Sequence, residues 1–130
     1  VNFDELALDN MLRRNGFCWT GWHHLVCVEN QALGALRGHA RHVPEIAAGY
    51  AELLTGAVAG RWKTDDIAAA YGIPALREEM RHTAYGDAVL AEMIFRASVV
   101  DDDFLPLPGA TWQPPEELQR ALDASSLVTA

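Results

Sequence analysis

Glu79 and His82 are the residues of this sequence best placed to do chemistry, because a carboxylate and an imidazole three positions apart project the same way from a helix. The string Glu78-Glu79-Met80-Arg81-His82 is predicted to lie inside a long helix. The face marked out by Leu90 and Met93 also takes in Leu76 and Gly86, so both ligand-type side chains fall beside its buried stripe. The other histidines offer less. His39 and His42 share the i, i+3 spacing, but Gly38 and Pro44 put them at a helix end, and the adjacent His23 and His24 point different ways. The three serines, Ser98, Ser125 and Ser126, sit near or beyond the end of the long helix and leave little material for a serine triad. A Gly-rich phosphate loop, a CxxC pair and an HExxH helix are absent, which removes the strongest short signatures of nucleotide, redox and zinc chemistry.

The Glu79-x-x-His82 pair resembles the Glu-x-x-His helix of ferritin-like di-iron proteins, in which carboxylates and imidazoles from facing helices share two metals. That resemblance implies a metal site, with Glu29, between Val26 and Leu33 on an earlier apolar face, as the extra carboxylate. No second Glu-x-x-His occurs, so one chain cannot complete the site. A two-fold homodimer could, each copy giving Glu29, Glu79 and His82 to iron or another divalent metal. The alternative is that Glu78, Glu79 and Arg81 are solvated helix charges and His82 a boundary residue.

The elements that would hold these residues are helical by periodicity. A first helix is expected over Phe3 to Asn15, ended by Gly16, and a second from about Thr20, carrying Trp22, Val26, Leu33 and Leu36 toward Gly38. Pro44 opens a third, with Ile46, Tyr50, Leu53, Leu54 and Val58 as its stripe up to Gly60. Thr64 is expected to cap a short fourth helix closed by Gly72, with Asp65 and Asp66 at the positive end of its dipole. The longest element is expected from Pro74 to about Ser98. Asp101 to Pro115 holds four of the six prolines and reads as an irregular, partly extended surface strap. A last helix, Glu116 to about Ala124, precedes a frayed tail at 125–130. Gly60, Trp62, Asp65, Asp66 and Ile67 are echoed by Gly109, Trp112, Glu116, Glu117 and Leu118, which reads as helix punctuation: a glycine stop, a tryptophan packed back, and paired acids at the next start. The sum is one all-α domain, an irregular bundle of five to six helices.

Charge and length narrow the partners. With 130 residues the chain supports one core rather than two. A formal net charge of −8 opposes phosphate contacts, so nucleic acid and anionic membrane are not expected partners. Half the residues are hydrophobic, yet charges and glycines interrupt every apolar run before the roughly 20 residues a bilayer span needs. The sequence opens on no basic stretch followed by an apolar run, and a soluble, cytoplasmic protein is expected. Cys18 and Cys27, nine apart on one expected helix, are too distant for a disulfide and are read as reduced.

Two further resemblances concern function. Residues Thr64 to His82 look like a helix-turn-helix, through Asp66-Ile67-Ala68-Ala69-Ala70-Tyr71-Gly72-Ile73-Pro74, although Leu76-Arg77-Glu78-Glu79 stands where a basic recognition helix belongs. Residues 3 to 70 resemble, in organisation, the helical N-terminal region of nitrile hydratase β subunits and their accessory proteins. The similarity lies in Asn15-Gly16-Phe17-Cys18-Trp19-Thr20-Gly21-Trp22 and in Gly60-Arg61-Trp62-Lys63-Thr64-Asp65-Asp66-Ile67, while residues 75 to 130 depart from that pattern. It implies a non-catalytic helical subunit or chaperone of a metal-bearing hydratase-type partner; the metal-binding cysteine cluster of that family's catalytic subunit is absent here, and no catalytic residue is carried over. The first reading is therefore a helical accessory protein that binds a protein partner. The second is a dimeric metal-binding bundle and the third a helix-turn-helix regulator.

Overall fold

The computed structural model describes residues 2–16 and 27–128. Among them are seven α-helices and no strand: α1 (Asn2–Arg14), α2 (Val28–Ala40), α3 (Pro44–Gly49), α4 (Ala51–Val58), α5 (Thr64–Ala70), α6 (Ala84–Phe95) and α7 (Glu116–Val128). The helical class agrees with the periodicity. No described helix is long and apolar enough to cross a membrane.

The core gathers around α2 and α6. Ala32, Leu33 and Leu36 of α2 meet Ile67, Ala68 and Ala70 of α5 and Val89, Leu90, Met93 and Ile94 of α6, all buried. Dispersion and the release of water from this apolar surface hold the three helices together. Tyr71, 1 % exposed, donates its hydroxyl to the Ala32 carbonyl at 2.6 Å, which satisfies the one polar group its ring brings inside. Burial pushes the Tyr71 phenol well above its ordinary pKa.

Several elements differ from expectation, and α2, expected from about Thr20 with Cys27 inside it, begins only at Val28, because Cys27 (φ −84°, ψ 111°) is extended at its N-cap. The single helix expected from Pro44 to Gly60 breaks at Tyr50, whose backbone (φ −121°, ψ 23°) leaves the α region, giving α3 and α4 and raising the helix total. A Cβ on Gly49 would lie 2.5 Å from Pro108 Cγ, so the 101–115 segment presses on the chain at this break. That segment forms neither helix nor strand, and it reaches inside: Pro106 and Trp112 are buried. Finally, α7 continues to Val128, past the Ala124 at which a frayed tail was expected.

The largest correction concerns Pro74 to Ser98. Residues 73–77 form no regular secondary structure, Arg77 being extended (φ −60°, ψ 149°), Glu78–Met80 make one 3₁₀ turn, and α6 begins only at Ala84. Pro74 disfavours helix at Ile73, and Thr83 (φ −93°, ψ 156°) makes an N-cap by accepting from Gly86 N at 2.9 Å. A Cβ on Gly86 would come within 1.9 Å of the Met80 carbonyl oxygen, so only glycine lets this turn lie against the start of α6. The cap and the burial of Met80 outweigh the helix propensity of Leu76 to Arg81. At its other end α6 widens into a π turn, Arg96–Val100, closed by Asp101 N donating to Arg96 O at 2.8 Å.

Candidate functional site

An open cleft of about 790 Å³ lies between the start of α2, the start of α5, the irregular 73–76 segment and α6. Ile73, Leu90 and Ile94 form its buried floor, and the half-buried Val28, Trp62, Leu76 and Ala91 stand higher on its walls. Glu29, Lys63, Asp65, Arg81, His82 and Asp87 supply its charged and titratable groups.

Glu29 is the organising polar residue. It lies in the first turn of α2 and accepts from Trp62 Nε1 at 2.7 Å through one oxygen and from the Thr64 hydroxyl through the other. This is why Thr64 does not cap α5 as expected. Lys63 occupies the capping position without a side-chain bond, and Thr64 turns its hydroxyl to α2 instead. Both partners of Glu29 are neutral, so the carboxylate is positioned but its charge is not cancelled. Across the cleft Arg81 pairs with Asp65 at 3.1 Å and Glu78 at 3.7 Å, exposed contacts that locate the 78–82 turn more than they stabilise it.

The three candidate metal ligands are treated unequally. Glu29 and His82 line the same cleft, whereas Glu79 is exposed on the 3₁₀ turn and does not line it. Glu79 and His82 do not share an α-helical face, because His82 stands in left-handed backbone (φ 61°) between the 3₁₀ turn and the Thr83 cap. Among the described residues no three His, Cys, Asp or Glu side chains converge as a metal site. His39 and His42 fall at the end of α2, where spacing placed them. Cys27 is a free thiol, while His23, His24, Cys18, Trp22 and Val26 lie outside the described residues. The helix-turn-helix expectation loses its second helix, since residues 73–77 are non-helical and Glu78–Met80 make only a 3₁₀ turn.

The sequence singled out Glu29 and His82 as metal ligands rather than as cleft residues, and it did not single out Trp62, Thr64 or Asp87 for either role, although they line the same cleft. Trp62 and Thr64 were visible as punctuation; nothing in their spacing pointed to Glu29, thirty-three positions earlier than Trp62. Comparison with protein-family models, curated proteins and solved structures returns no match. What fold and cleft define together is an all-α chain with an apolar, acid-bearing groove.

Proposed function

We propose that this chain is a helical accessory or interaction protein without chemistry of its own, and that the cleft is where a protein partner docks. The observation that supports this reading is the use of the cleft's polar groups. Glu29 closes on Trp62 and Thr64, and Arg81 on Asp65, so these side chains shape the walls while Val28, Leu76 and Ala91 offer apolar contact. The resemblance of residues 3 to 70 to nitrile hydratase β subunits and accessory proteins supplies the first partner to try, the metal-bearing subunit of a nitrile-hydratase-type enzyme from the same source. Purified together at micromolar concentration, the two should co-elute in size-exclusion chromatography as one species. Separate elution overturns this choice of partner.

A second reading, a metal site shared by two copies, keeps one supporting observation: Glu29 and His82 face one cleft. Each Glu29 oxygen accepts one hydrogen bond, from Trp62 or from Thr64, and keeps a second lone pair with which it could ligate. Metal analysis of untagged protein decides it, since a metal-free monomer eliminates a site whose ligands come from two chains.

A further inference from the structure

The cleft walls are apolar but its charges are unbalanced, and the imbalance has a sign. Glu29, Asp65 and Asp87 line it against Lys63 and Arg81. Arg81 is already shared between Asp65 and Glu78, which itself lies outside the lining, so little of its charge is left for the cleft. Among the described residues, the hydrogen-bond partners of the half-buried Glu29 are the neutral Trp62 and Thr64, so its field extends into the space rather than ending on a cation. Low-dielectric walls focus such a field, and the whole chain, at −8, reinforces it. A groove of this kind repels an acidic ligand and attracts a cation that brings its own apolar surface.

Resting on the interaction reading above, we infer that the cleft takes a basic amphipathic segment of the partner. Its apolar side chains lie over Val28, Leu76 and Ala91, and a lysine or arginine is directed to the Asp87 side. Apolar side chains at helical spacing supply the binding surface, as in other helix-in-groove complexes, and the charges select the segment and speed its arrival. Asp87 is suited to this role because it is exposed in the first turn of α6, at the lip of the groove.

The test uses two fluorescein-labelled model peptides of leucine and lysine, or leucine and glutamate, at amphipathic helical spacing, titrated with the full chain and read by fluorescence anisotropy. The lysine peptide should bind at least about tenfold more tightly than the glutamate peptide, given several charge contacts of unlike or like sign. Asp87→Lys should weaken the lysine peptide by about fivefold or more. Asp103→Lys, which changes net charge equally but lies outside the cleft, should weaken it less. Leu76→Glu should weaken it despite adding a negative charge, which separates groove binding from general attraction to an acidic protein. Ala91→Gln, adding bulk without charge on α6, repeats that test if Leu76→Glu unfolds the chain. Equal affinity for the two peptides, or equal losses in Asp87→Lys and Asp103→Lys, overturns the inference. A partner complex that the lysine peptide fails to displace also overturns it, and leaves the interaction reading standing.

Discussion

The start of α5 and the start of α7 are built from the same succession of residues and end in different environments. Gly60 and Gly109 both hold positive φ, at 74° and 85°. Asp65 and Asp66 lie in the first turn of α5, as Glu116 and Glu117 do in that of α7, and Ile67 and Leu118 are buried behind them. Each tryptophan donates its indole N–H to a carboxylate of an earlier segment, Trp62 to Glu29 and Trp112 to Asp101 at 3.2 Å. Yet Trp112 is 2 % exposed, with its backbone N donating to Gly72 O, while Trp62 stands half-buried on the cleft wall. Shared punctuation specifies where a helix begins. What stands opposite decides whether the tryptophan fills a core or borders a site.

The largest test of that contrast removes each indole in turn. Trp112→Ala should cost about 3–5 kcal/mol, since a fully buried ring leaves a cavity that closes only in part. Trp62→Ala should cost about half as much, because much of its surface already meets water and the cleft can absorb the space. Urea unfolding followed by circular dichroism measures both, and equal losses would show that Trp62 is as much a core residue as Trp112.

A smaller and more symmetrical pair concerns the two glycines. Nothing lies within 4 Å of an ideal Cβ on Gly60 or Gly109, so a side chain there meets backbone strain alone. Gly60→Val and Gly109→Val should therefore destabilise by similar amounts, on the order of 1–2 kcal/mol each. A melting temperature unchanged in either variant would show that the left-handed conformation is not required at that position.

These pairs also mark how far the sequence could be read. The stop at Gly60 and the acid pairs were legible because each depends on neighbours a few positions away, whereas no helix ends at Gly109, which stands in a turn of the 101–115 segment. Leu76 to Arg81 was misread for the converse reason. Its residues favour helix, and the break from α-helix there depends on Pro74, the Thr83 cap and the approach of Met80 to Gly86, of which only the first two leave a local mark. Glu29 was legible as a carboxylate on an apolar face, but its partners come from another helix start. Periodicity reports a face; it does not report what that face meets.

The smallest test compares the two carboxylates that hold the tryptophans. Glu29→Gln keeps the side-chain shape but replaces one acceptor oxygen with an NH₂ group, so one of the two bonds must change character. If the amide oxygen keeps Trp62, whose indole can only donate, the NH₂ faces Thr64, whose hydroxyl can rotate to accept. Both contacts survive as neutral bonds, and the expected loss is the charge-assisted part, about 1 kcal/mol. Asp101 holds Trp112 through Oδ2 and accepts from Asp103 N through Oδ1, but it is exposed. Asp101→Asn should cost only a few tenths of a kcal/mol, because water solvates whatever the amide leaves unmet. Paired unfolding curves read the ordering. A larger loss for Asp101→Asn than for Glu29→Gln would mean that Glu29 does not anchor the cleft wall, and that the Trp62 contact is incidental to the packing of α2 against α5.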